Sequence, residues 1–229
     1  MDIAANYHRV METIHSAATR CGRNPSEIKL LAATKSQSVA AVREAIEAGI
    51  RLFGENYIQE ARTKKESIAE SVEWHMIGHL QRNKVKAAVE LFSLIQSLDS
   101  LELARALDRE GKRRGRTVRV FVEVNLAGEQ TKSGINREGV AALLEEVGGL
   151  ANLTVEGLMT VPPFHEDPEK IRPYFRSLKE LQKSLAGLKI PNVQPRELSM
   201  GMTHDYPVAI EEGATMVRIG TAIFGERRQ

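Results

Sequence analysis

Short runs of apolar and β-branched residues recur along this chain. After each comes a longer segment with the 3.6-residue period of a helix. The runs predict strands at 28–34, 51–54, 74–78, 92–97, 118–125, 154–160, 197–200 and 216–219. The segments between them predict helices at 39–48, 56–71, 83–89, 100–114, 137–147, 169–185 and 205–211, with a last one after Gly220. In 39–48, Val39, Val42 and Ile46 share one face. The first run, IKLLAAT, is predominantly apolar, as a parallel strand buried on both faces should be. Residues 1–22 read as an additional amphipathic helix. Eight strand–helix units within 229 residues predict one (β/α)8 TIM-type barrel spanning 1–229 as a single domain. An open doubly wound sheet is the alternative, but no GxGxxG turn follows the first strand. Residues 162–168 form the most loop-like stretch and are expected to cap one barrel opening.

Composition narrows the function classes. Hydrophobic residues make up 42% of the chain and charged residues 27%, which is enough for a packed core and too apolar for a disordered chain. A formal net charge of +2 calls for neither a nucleic-acid nor a membrane partner. Cys21 stands alone, so an intrachain disulfide and a thiolate zinc site are both excluded. No basic leader precedes an apolar run, and no run approaches the ~20 residues of a membrane span. A cytoplasmic location is expected. The basic run Lys112–Arg116 contains Gly115 and reads as the cationic end of a helix followed by a turn. His75 and His79, four apart in WHMIGH, fall on a strand end and loop, and read as structural rather than as metal ligands. Glu55 and Glu60 read as helix-start and packing residues.

Candidate chemistry concentrates at the C-terminal ends of the strands, where barrels place their sites. Lys35 directly follows the first strand and precedes a helix whose expected N-cap is Ser38. Partial desolvation there favours the neutral, nucleophilic amine that an imine requires. Ser199–Thr203 follows the seventh strand, and Arg218-Ile219-Gly220-Thr221 ends the eighth. Hydroxyls and glycines at these loops suit a phosphate. A lysine, a phosphate cradle and an arginine in one mouth point to a phosphorylated carbonyl compound, either cofactor or sugar phosphate.

Seven stretches narrow this further: LLAATK (30–35), FGENYIQE (53–60), WHMIGHLQRNK (74–84), EVNLAGEQTKSG (123–134), GLM (157–159), ELSMGMTHDY (197–206) and MVRIGTAIFG (216–225). Together they resemble the pyridoxal 5′-phosphate (PLP) homeostasis protein family, also known as proline synthase co-transcribed homologues. That family in turn resembles the barrel domain of alanine racemases. The resemblance implies PLP as cofactor, held as an imine on Lys35. It implies a phosphate site at Ser199, Gly201, Gly220 and Thr221, with Arg218 facing the pyridine nitrogen and Asn56 lining the pocket. It implies a role in buffering or delivering PLP, with apo PLP-dependent enzymes as the candidate recipients, without turnover. The alternatives are an amino-acid racemase and a cofactor-free imine aldolase. In racemases a tyrosine from a partner's C-terminal β domain supplies the second acid/base. This sequence ends just past the last barrel helix, so a monomer is expected.

Overall fold

A computed structural model describes residues 2–129, 133–185 and 187–226. The chain alternates β1 (Lys29–Ala33), α2 (Val39–Glu47), β2 (Leu52–Glu55), α3 (Ile58–Ser67), β3 (Glu73–Met76), α4 (Val85–Leu91), β4 (Leu94–Leu98), α5 (Leu101–Arg114) and β5 (Val118–Asn125). It continues with the two-residue β6 (Ile135–Asn136), α6 (Val140–Val147), β7 (Leu153–Met159), α7 (Arg172–Leu185), β8 (Val193–Met202), α8 (Tyr206–Glu211), β9 (Met216–Ile219) and α9 (Thr221–Phe224). A helix α1 (Ile3–Arg20) precedes the first strand.

All strand pairings are parallel, and β4 pairs with β5 to close the sheet on itself. The closed barrel therefore runs β1-β2-β3-β4-β5-β7-β8-β9 and back to β1, with β6 an extra edge on β5. The expected (β/α)8 barrel and extra N-terminal helix are both present. Predicted strands and helices match observed ones to within a few residues. The largest difference is β8, which starts at Val193 and passes through Pro195. Buried Val193 and Pro195 alternate there with exposed Gln194 and Arg196, but a proline inside the run argues against a strand in the sequence.

The barrel interior is layered, as close packing in a narrow cylinder requires. At the N-terminal end, Lys29 pairs with Glu197 at 2.7 Å and Arg119 with Glu156 at 2.7 Å. Above them Leu31, Leu94, Phe121, Met159 and Met216 form an apolar plug of their own. Gly54 is needed at this level: a Cβ would lie 2.3 Å from Leu31 Cδ2. The larger apolar layer lies between strands and helices. Helix α1 joins that layer through Val10, Ile14, Ala17 and Ala18, with Asp2 capping its first turn by accepting from Ala5 N at 2.9 Å. It also reaches the last helix, where Asn6 Nδ2 donates to the Ile223 carbonyl at 2.9 Å. Among the described residues no helix is long and apolar enough to cross a membrane.

Candidate functional site

Four neighbouring strands bring the expected residues together. In the order β8, β9, β1, β2, their C-terminal ends carry Ser199 and Gly201, then Arg218, Gly220 and Thr221, then Lys35, then Asn56. The register Leu31↔Arg218 and Ala32↔Ile219 sets the Lys35 turn beside the Gly220 turn.

Arg218 is the most constrained of these groups. Its Nη1 donates to the Ser199 carbonyl at 2.7 Å and to Ser199 Oγ at 2.8 Å, and its Nη2 to the Thr160 carbonyl at 2.7 Å. Burial lowers its pKa, to about 10, against the pull of Glu123 and Asp205, so it remains a cation at neutral pH. Thr160 is held in turn, its hydroxyl donating to the Val124 carbonyl at 2.8 Å. Glu123, nearly buried on β5, is raised to about 7 by burial first and then by Asp99, with Arg218 opposing.

Ser199 is buried and already engaged on both sides. It accepts from Arg218, and its hydroxyl donates to Gln96 Oε1 at 2.6 Å. Gln96 Nε2 then lies 3.0 Å from His75 Nδ1, and His75 Nε2 lies 3.0 Å from Glu73 Oε1. The result is a hydrogen-bonded chain through the barrel, from the ionic end at Glu73 to Arg218 at the mouth. Its members are Gln96, His75 and Ser199, all buried. Burial holds the His75 imidazole below its ordinary pKa, while the His75 hydrogen bond takes Glu73 down to about 2.

Loops after β8 and β9 are tied to each other, since Ala222 N donates to Thr203 Oγ1 at 3.3 Å. Gly201 has φ +91°, and a Cβ there would lie 2.5 Å from Ala209 Cβ, so only glycine lets this loop fold back onto α8. Gly220 differs. A Cβ would meet nothing nearer than the Ala33 carbonyl at 3.4 Å, so glycine leaves space open beside the Lys35 strand. Asn56 offers a second opening. Its Oδ1 is buried with no hydrogen-bond partner among the described residues, a costly state unless a ligand donates to it. An amine on Lys35, an orphaned acceptor on Asn56, a fixed cation and an open glycine corner fit a phosphorylated pyridine aldehyde.

Lys35 itself is half-buried and starts the turn between β1 and α2. Ser38 caps α2 as expected, accepting from Ala41 N at 3.2 Å. His75 has both ring nitrogens engaged, by Glu73 and Gln96, and no cluster of three metal-ligating side chains occurs among the described residues. His79 is largely exposed, 3.4 Å from Asp99. Within the basic run, Arg113 and Arg114 pair with Glu110, Arg116 donates to the Phe92 carbonyl at 3.2 Å, and Gly115 at φ +62° ends α5. Tyr206 is buried at the start of α8, whereas Tyr57 at the start of α3 is exposed. Glu60 starts α3 as expected, but Glu55 is buried at the end of β2 and paired with Lys64. Residues 130–132, inside the EVNLAGEQTKSG stretch, lie outside the described residues. Sequence reading missed Gln96, Thr160 and Lys64. Gln96 lies within the strand run SLIQSL, where the amide and its neighbour Ser97 are the local signs of a polar interior.

A family model described as the alanine racemase N-terminal domain matches residues 3–228. The pyridoxal phosphate homeostasis protein of Aquifex aeolicus is 44% identical over 229 residues, covering all of both chains. Its namesake in Escherichia coli K12 is 40% identical over 230 residues, covering 99% of this chain and 97% of its own. Among solved structures, PipY of Synechococcus elongatus with PLP bound superposes with a TM-score of 0.82 at 34% identity, covering 94% of this chain and all of PipY. An alanine racemase of Clostridium difficile shares the fold, with a TM-score of 0.72 at 15% identity, all of this chain matching 57% of that one. With the barrel and the full-length relatives in agreement, the chain belongs to the pyridoxal phosphate homeostasis protein family, built on the barrel that alanine racemases carry as their N-terminal domain.

Proposed function

We propose that this chain is a PLP carrier of the cytoplasm: it binds the cofactor through Lys35, buffers or delivers it, and turns over no amino acid. Lys35 supplies the amine for the aldehyde carbon. The loops at Gly201–Thr203 and Gly220–Thr221 take the phosphate. Asn56 lines the pocket, and Arg218 faces the pyridine nitrogen. Ser199 acts in this reading through Arg218, because its hydroxyl is committed to Arg218 and Gln96. The bound cofactor would supply an electrophilic carbon and a pyridine ring that stabilises carbanions when its nitrogen is protonated.

One observation carries the reading: Arg218 is a buried, charged group fixed by three acceptors. A guanidinium has donors and no acceptor, so it cannot support a proton on the ring nitrogen. The electron sink is thereby weakened, and holding PLP is favoured over carbanion chemistry. The names of the full-length relatives agree with this role. Recipients would be apo PLP-dependent enzymes, and the carrier a monomer.

The test is α-hydrogen exchange. PLP-loaded protein is incubated with L-alanine and other amino acids in heavy water, and the α-hydrogen is followed by NMR and chirality by chromatography. Exchange no faster than with free PLP is expected. Exchange or racemisation at about 1 s⁻¹ or faster, the range of working enzymes, would make the protein an enzyme and overturn the reading.

A further inference from the structure

We propose that Lys64 and Glu60 are positioning residues for Lys35, forming a buried ionic clasp that grips the backbone on both sides of that lysine. The inference rests on the reading that Lys35 takes PLP.

Lys64 lies on α3, in the sequence IQEARTKKES, yet is buried where its neighbour Lys65 is not. Its ammonium has three acceptors: the Thr34 carbonyl at 2.6 Å, Glu55 Oε1 at 2.5 Å and Glu60 Oε2 at 3.2 Å. Three donors thus meet three acceptors. Glu60 Oε2 also accepts the Ser36 amide at 2.7 Å. The carbonyl before Lys35 and the amide after it therefore end on the same ion pair. Thr34 is fixed a second time, its hydroxyl donating to Glu55 Oε1 at 2.7 Å and its amide to the Gly54 carbonyl at 2.9 Å.

This restraint acts on an unfavourable turn. Ser36 has φ +63°, one of two non-glycine residues with positive φ among those described. A serine adopts that conformation only when its surroundings over-determine it. The Glu60 bond to the Ser36 amide is such a determinant. Stability alone does not account for the cluster. A buried ion pair is commonly matched or bettered by apolar packing, and Glu55 Oε2 stays buried with no partner among the described residues. What apolar packing could not do is hold a carbonyl and an amide on either side of one residue. Lys35 must meet an aldehyde whose phosphate and ring are held by other strands, and such a reaction is steep in the position of the amine. Gly54 faces Leu31 in the barrel interior, so Glu55, the next residue on β2, faces the helices, and the clasp directs Lys35 from behind the turn.

The experiment compares two ligands. PLP can bond to Lys35, whereas 4′-deoxypyridoxine 5′-phosphate keeps the ring and phosphate and lacks the aldehyde. The variants are Glu60→Ala, at a half-buried position, and Glu55→Gln/Lys64→Met, which leaves no unpaired buried charge. Each should lower PLP affinity roughly ten-fold or more and slow formation of the borohydride-fixed product, with deoxypyridoxine phosphate affinity changed less than about two-fold. Glu60→Gln keeps an acceptor for the Ser36 amide and should recover most of the loss. Circular dichroism melts confirm that each variant is folded. Unchanged PLP capture in folded variants, or equal weakening of both ligands, would overturn the inference, the latter revealing a merely structural role. If the unsubstituted protein fixed no PLP on Lys35, the functional reading itself would fail, a result distinguishable from either.

Discussion

Arg218 Nη1 donates to Ser199 Oγ at 2.8 Å, and that hydroxyl uses its own hydrogen on Gln96 Oε1 at 2.6 Å. The sense of each bond then fixes the next. With Gln96 Oε1 taken by Ser199, its Nε2 must donate to His75 Nδ1, and His75 Nε2–H is left to donate to Glu73. A neutral imidazole satisfies every member. An imidazolium would turn Gln96 around and strand the Ser199 hydrogen. Burial, which disfavours the charged ring, works in the same direction.

Gln96→Met should therefore destabilise the barrel although it is apolar and close to glutamine in length and volume. It leaves His75 Nδ1 without a donor and the Ser199 hydrogen without an acceptor, at about 1–3 kcal/mol. For a chain of this size that lowers Tm by roughly 4–8 °C at the middle of the range. Adding Ser199→Ala should cost less than it does alone, because both act on one chain. Calorimetry of the two single variants and the double variant measures this directly.

Phosphate and ring contacts can be separated with pyridoxal, which lacks the phosphate. Thr221→Ala and Thr203→Ala should weaken PLP binding roughly ten-fold and leave pyridoxal binding nearly unchanged, as loss of a bond to a charged group costs about 1.5–3 kcal/mol. Ser199→Ala should weaken both ligands in equal proportion, because it acts through Arg218. A phosphate-selective loss in Ser199→Ala would return its hydroxyl to the phosphate cradle.

Much of this architecture was legible from pattern. IKLLAAT and MVRIG are short and apolar, and both end at a chemistry-bearing residue or glycine, so the period alone located β1, β9 and the mouth. What stayed hidden is what depends on strands distant in sequence. Ser199 and Gln96 are 103 positions apart, and no local pattern pairs them. Ser199 consequently read as a loop hydroxyl when it is an interior one. Lys64 was hidden differently: in a helix carrying Lys64, Lys65 and Glu66, nothing local marks which charge is buried. Its partner Glu55 ends a strand and was read with the following helix.

Glu123 makes stability depend on pH. Its pKa rises from 4.5 to about 7 on folding, so the protonated form is favoured in the barrel. Relative to an ordinary carboxyl, its contribution is fully present below about pH 4.5 and is lost as pH rises through about 7. Glu123→Gln should accordingly match the parent near pH 4.5 and exceed it above pH 7, by at most about 3 kcal/mol. Urea melts across that range test the sign. A variant less stable than the parent above pH 7 would contradict it.

Arg218→Gln removes the cation proposed to face the pyridine nitrogen. The ring nitrogen of bound ¹⁵N-labelled PLP should then titrate upward, reaching the protonated chemical shift within about pH 6–9, where the parent stays unprotonated. The α-hydrogen exchange rate should rise with it. A nitrogen already protonated in the parent would remove the basis for a weakened electron sink.

The most direct test of the whole account is where PLP becomes fixed. Purified protein is loaded with PLP, reduced with borohydride, digested and mapped by mass spectrometry. The account predicts one phosphopyridoxyl group per chain, on the peptide containing Lys35, and none in Lys35→Ala. Stoichiometric labelling of Lys84 or another lysine, with Lys35 unmodified, would contradict it.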